Sequence, residues 1–139
     1  MSVFDTMAVS ASGLTAQRAR LDLIAGNLAN LNSTRTAGAG PYRRKVAVFE
    51  AQEQAYGAAE AEPGWGVRVA GVLDDDSPPR MVYDPGHPDA DAQGYVAYPS
   101  VEPVMEMADL ISCTRSYEAN LACLAGTKRI ARAALDLLV

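Results

Sequence analysis

His87 is the only histidine in the chain, so a Ser-His-Asp or Cys-His triad would rest on it alone, and no G-x-S-x-G elbow accompanies it. A structural role is therefore expected for it. The run Asp89-Ala90-Asp91-Ala92-Gln93-Gly94 opens with the spaced oxygens and turn glycine of a calcium loop. Its twelfth position, however, is Ser100 where a bidentate Glu is needed. Asp74-Asp75-Asp76 ahead of Ser77-Pro78-Pro79 reads as a solvated turn, and Gly126-Thr127-Lys128 lacks the glycine-rich loop of a phosphate site. Trp65, between Gly64 and Gly66, has the flat face that stacks on a sugar, although a lone tryptophan more commonly plugs a small core. Cys113 and Cys123 lie ten apart in one expected helix, about 15 Å along its axis, too far for a disulfide, and there is no C-x-x-C. No catalytic residue, cofactor or metal site is assigned.

With the chemistry this sparse, the elements carry the information. All eight prolines fall between Pro41 and Pro103, leaving both ends free of the residue that most disrupts helix interiors. The fold class expected is mainly α: long N- and C-terminal helices packed as a coiled coil, with a small β-containing segment between. The divisions are 1–40 for the first helix and its turn, 41–102 for the β or irregular segment, and 103–139 for the second helix. A flexible acidic linker is expected near 51–64. Near the N-terminus Met7, Leu14, Leu21 and Leu28 recur every seven residues, with Val3, Ile24 and Leu31 in the companion position. Ser2 and Asp5 suit the helix start, and Asn30 to Thr34 with Gly38 and Gly40 suit its stop.

The C-terminal segment repeats the pattern, with Leu110, Tyr117, Leu124, Ala131 and Leu138 spaced by seven and Met107, Thr114, Leu121, Lys128 and Leu135 beside them. Ser100 is the expected N-cap, with Pro103 in the first turn, where its missing N–H costs nothing. At about 1.5 Å per residue, helices over 3–32 and 103–138 would be similar in length, roughly 45 and 50 Å. Between them Lys45 to Phe49, Gly66 to Leu73, Arg80 to Tyr83 and Gly94 to Tyr98 have strand character.

At 139 residues the chain has room for one ordinary domain, and aromatics make up only 6% of it, so its own core is thin. The net charge of −5 excludes a protein that neutralises many phosphates, hence no nucleic acid. Charge is segregated: +4 over 1–45, −11 over 46–109 and +2 over 110–139. No apolar window is long enough for a membrane span, and the first thirty residues do not read as a cleaved secretory signal. The C-terminal helix also carries Val104, Ala108, Ile111, Ala119, Ile130 and Ala134 beyond its main stripe. A helix apolar on several sides has to be covered on several sides, and the acidic, proline-rich middle is a poor cover. Other copies or other chains are expected to supply it, with Met7, Leu14, Leu21, Ile24, Leu28, Leu31, Met107, Leu110, Ile111, Tyr117, Leu121, Leu124, Leu135 and Leu138 as helix–helix and subunit contacts.

Asn27-Leu28-Ala29-Asn30-Leu31-Asn32 resembles the A-N-x-x-N signature of bacterial flagellar rod, hook and hook-associated proteins. The stretch Asp84-Pro85-Gly86-His87-Pro88-Asp89, then Gly94-Tyr95-Val96, is similar to the proximal-rod branch of that family. So is Glu106-Met107-Ala108-Asp109, continuing to Tyr117-Glu118-Ala119-Asn120. The resemblance implies a non-enzymatic basal-body subunit whose terminal helices form an inner coiled coil, exported without a cleaved signal into the periplasmic rod. It implies as partners copies of itself, the rod subunits FlgB, FlgF and FlgG, a rod-base adaptor protein, the MS ring and, in transit, the export apparatus. Both cysteines are expected to be buried against neighbours there. Two other classes compete. A wall-cleaving glycosidase would need a pair of carboxylates in a sugar cleft, one with a raised pKa, and a soluble coiled-coil adaptor would form a discrete small oligomer.

Overall fold

A computed structural model of the chain describes residues 3–37, 40–52 and 65–136. Two helices dominate it, α1 over Val3–Ala29 and α2 over Pro103–Asp136. Between them come β1 (Lys45–Gln52), β2 (Gly66–Asp74), β3 (Arg80–Tyr83) and β4 (Tyr95–Tyr98). The mainly α architecture with two packed terminal helices and small β hairpins is the one expected. The strands form two separate antiparallel pairs, β1 with β2 and β3 with β4, instead of one sheet. The acidic linker expected near 51–64 overlaps the end of β1 at Ala51 and Gln52, and its remainder lies outside the described residues, as do Ser2, Gly38 and Leu138.

Asn30 ends α1. Its backbone N–H and its Nδ2 both donate to the Gly26 carbonyl, at 3.1 and 2.9 Å, closing the last turn with an amide that competes well for helix-terminal carbonyls. Leu31 therefore sits in the turn beyond the helix. The cap expected at Ser100 is displaced. The first intrahelical bond of α2 runs from Glu106 N–H to the Glu102 carbonyl, 3.0 Å, which makes Glu102 the N-cap and Pro103 the first helical residue. With its fixed φ, Pro103 sets the start, and Ser100 lies exposed upstream.

α1 and α2 run antiparallel, as four facing pairs show. Asn27 meets Glu106, Arg20 meets Asp109, Gln17 meets Cys113, and Gly13 meets Asn120. α2 has 34 residues and α1 27, so the last turns of α2 outrun the described start of α1 by about 10 Å. On its other side α1 carries the β1–β2 hairpin. The Ser12 hydroxyl accepts from Val67 N–H at 3.1 Å, and a Cβ on Gly66 would fall on that hydroxyl. Buried apolar side chains are few among the described residues: Ala16, Ile24, Val96, Pro99, Val101 and Cys113. Trp65 is half exposed and plugs no core.

Candidate functional site

Seven-residue periodicity places the helix contact, but one residue away from the leucine row. On α1 Gly13, Gln17, Arg20 and Asn27 meet α2, and the buried Ser10 and Ile24 complete the same alternation of three and four. Ile24 belongs to the expected contacts, whereas Met7, Leu14, Leu21 and Leu28 stand one residue further round and are half-buried. On α2 the contact row is Glu106, Cys113 and Asn120, with Leu110, Tyr117 and Leu124 half-buried beside it. Met107, Leu121 and Leu135 of the expected companion row are exposed, as is Ile111. The physical reason is the backbone. Gly13 lets Asn120 approach so closely that a Cβ there would stand 2.9 Å from the Asn120 amide nitrogen, and this near contact turns both helices.

Asn27, from the A-N-x-x-N signature, and Glu106, from the C-terminal motif, are brought together although 79 residues apart. Asn27 is 1% exposed and Glu106 0%. The Asn27 amide nitrogen donates to Glu106 Oε2 at 3.1 Å and to the Lys45 carbonyl at 3.0 Å. Its oxygen accepts from Lys45 N–H at 2.9 Å and from the Tyr42 hydroxyl at 3.0 Å. All four hydrogen-bonding positions of the amide are filled. Arg44 Nε donates to the other oxygen of Glu106 at 2.5 Å and Arg44 also reaches Asp109 at 3.3 Å, while Arg20 binds Asp109 at 3.0 Å. Burial pushes the Tyr42 hydroxyl above its ordinary pKa, Lys45 opposing and Asp74 and Glu106 reinforcing. The cluster thus ties α1, the segment before β1, and α2 at one point. Sequence reading missed Arg20, Tyr42 and Arg44 and carried Asp109 only as part of a motif stretch. The available signal was a glutamate in a buried helical row, which requires a cation but does not say which.

The Asp-Pro-Gly-His-Pro stretch folds as a tight loop between β3 and β4. Asp91 Oδ1 accepts from the N–H groups of Gln93 and Tyr95 at 2.8 and 2.9 Å, and His87 Nδ1 accepts from Asp89 N–H at 3.1 Å. Gly94 has φ +84°, and a Cβ there would meet the Tyr83 ring at 2.9 Å, so glycine is required on both counts. Tyr83 and Tyr95 meet edge to face at 5.3 Å. Asp89 takes a hydrogen bond from Thr34 at 2.8 Å and pairs with Arg35 at 2.5 Å, so its carboxylate anchors the loop to the residues after α1. Asp84 accepts from Gly86 N–H, and Pro85 and Pro88 are exposed loop positions.

An open cleft of about 720 Å³ lies between Arg43, Arg44 and Lys45 on one side and Asp74, Asp75 and Asp76 on the other. Asp74 is paired with Lys45 and Asp76 with Arg43. Asp75 accepts from the Ser77 hydroxyl and N–H, which hold its carboxyl below the ordinary carboxylate range. A glycosidase acid needs the opposite shift.

The Cys113 thiol donates to Gln17 Oε1 at 3.0 Å, and burial raises its pKa, with Asp109 adding to the rise and Arg20 opposing it. Cys123 is exposed. Thiolate is the reactive form, so a thiol reagent at neutral pH is expected to modify Cys123 roughly tenfold or more ahead of Cys113. Mass-spectrometric timing of alkylation checks this, and equal rates would mean that the helices separate freely.

Comparison with known proteins agrees with this geometry. Residues 7–36 match the family model described as flagella basal body rod protein, and residues 92–137 match the C-terminal model of the flagellar basal body rod FlgEFG proteins. The chain is 41% identical over 148 residues to the flagellar basal-body rod protein FlgC of Bacillus subtilis, covering 99% of each. It is 41% identical over 150 residues to FlgC of Borreliella burgdorferi, again covering 99% of each. With FlgC of Aquifex aeolicus it shares 42% over 130 residues, 94% of this chain and 92% of the relative.

Proposed function

This chain belongs to the family of the flagellar basal-body rod protein FlgC, and from that premise we propose how it serves as a structural, non-enzymatic rod subunit. Residues 1–40 and 103–139 make the inner part of the proximal rod and 41–102 its outer part. The subunit polymerises with its own copies and with FlgB, FlgF and FlgG above the rod-base adaptor and the MS ring. It reaches the periplasm through the flagellar export apparatus without a cleaved signal, then helps form a hollow shaft that carries torque and lets later subunits pass. No helix among the described residues is long and apolar enough to cross a membrane.

One observation carries this reading: the helix pair has a covered side and an open side. The β1–β2 hairpin lies against Ser12 on one side of α1. The row Met7, Leu14, Leu21 and Leu28 follows the contact row by one residue on α1, and Met107, Leu121 and Leu135 follow it by one residue on α2. In antiparallel helices a turn in the same chain sense brings both rows to the same side, here the side away from the hairpin. Met107 is 56% exposed and Leu121 49%, and with the half-buried Leu14 and Leu21 they give this side an apolar patch on both helices, with the 63% exposed Leu135 further along α2. Faces of this kind are built to be covered.

A photo-reactive residue placed at Met107 in motile cells tests the assignment. Irradiation is expected to yield adducts with rod subunits, in basal bodies and in no other fraction. Adducts confined to soluble proteins would point instead to an adaptor.

A further inference from the structure

We infer that the far end of α2 is a docking surface for the acidic outer pole of a second copy of this chain. The inference rests on the rod reading above and names which surfaces meet. Beyond the start of α1, α2 has no helix opposite it, and Ile130 and Leu135 are 68% and 63% exposed. From Ala119 to Asp136 this helix carries Lys128, Arg129 and Arg132 against a single acid, Asp136. Among the described residues these three cations, like the scattered Arg18, Arg80 and Arg115, are in no ion pair, and they are the three that cluster within five residues. The end of α2 therefore combines exposed apolar side chains with an excess of positive charge, the composition of a contact that suits a negative partner.

The chain carries such a partner at its opposite end. Around the start of α2 the β3–β4 hairpin and its approaches hold Asp75, Asp84, Asp91 and Glu102 against one cation, Arg80, none of them in an ion pair among the described residues. Glu102 and Arg132 are thirty residues apart along one helix, about 45 Å, too far for the two groups to neutralise each other within one molecule. Between molecules they can. Joining one end of a subunit to the other end of the next is a heterologous contact, which propagates and does not close as a two-fold dimer. Charge complementarity on a single sequence is what singles out a second copy as the occupant.

Charge reversal in the full purified chain tests the inference, read by sedimentation velocity at about 50 mM and about 500 mM salt. Wild type is expected to self-associate more strongly at low salt. Lys128→Glu with Arg129→Glu and Arg132→Glu should weaken that association at least tenfold while circular dichroism stays unchanged, since all three side chains are exposed. Adding Asp75→Lys and Asp84→Lys to the same chain should bring it back to within about threefold, by restoring opposite signs across the contact. Salt-independent association, an unaffected triple variant, or failure of the added lysines to rescue would each overturn the proposal. Binding of the wild type to anionic phospholipid vesicles without self-association would overturn it in favour of a membrane surface. These outcomes are separate from the photo-crosslinking at Met107, which can place the chain in the rod whatever the α2 end contacts.

Discussion

Glu106→Ala is expected to cost the fold about 3–5 kcal/mol, the usual penalty for removing one member of a buried charged network. The buried Asn27 amide and the largely buried Arg44 guanidinium would lose their shared acceptor. Arg44 would keep only Asp109, at 3.3 Å, and the Tyr42 and Lys45 bonds to Asn27 would lose the anchor that orients the amide. Urea titration followed by far-UV circular dichroism measures the loss, and cells carrying the variant should be non-motile. Glu106→Gln preserves one hydrogen bond to Asn27 but no charge for Arg44, so its midpoint should fall between the two. A midpoint equal to wild type for Glu106→Ala would show that the cluster decorates the helices without holding them.

Leu121→Asp should do the reverse, sparing the chain and destroying the assembly. Leu121 is half exposed on the open face, so an aspartate there stays hydrated in the single subunit and helicity should be unchanged. Once a neighbour covers that face, the same carboxylate is buried without a partner, at a cost of several kcal/mol per contact repeated at every subunit. Purified basal bodies should lack a completed rod and the cells should not swim. Leu124→Asp adds damage inside the subunit, because Leu124 is half-buried beside the α1–α2 contact, so its helicity should fall as well. Full motility in the Leu121→Asp strain would remove the open face from the rod interface.

These two substitutions also mark how far the sequence could be read. Proline placement and seven-residue spacing located both helices to within three residues at their described ends, because those signals are local. The strands were similarly legible from Val, Tyr and Phe bounded by Gly, Pro and Asp. The rotation of the helices was not, since leucine rows identify an apolar face without saying whether the chain itself or a neighbour covers it. Gly13 and Asn120 decide that point, and their meeting is a three-dimensional fact. Asn27 and Glu106 were recognisable as motif residues, but their partnership with each other and with Arg44 depends on where the segment before β1 returns.

The polar make-up of the α1–α2 contact also fixes the alignment of the two helices. An all-leucine contact would tolerate sliding by a heptad, since every rung would look alike. Here a slip of seven residues sets Glu106 opposite Arg20 or Thr34 and leaves the Asn27 amide facing Cys113 or nothing, so each misaligned pairing strands a polar group. Only one alignment satisfies every rung, which makes this contact a proofreading device for the pairing of the two helices.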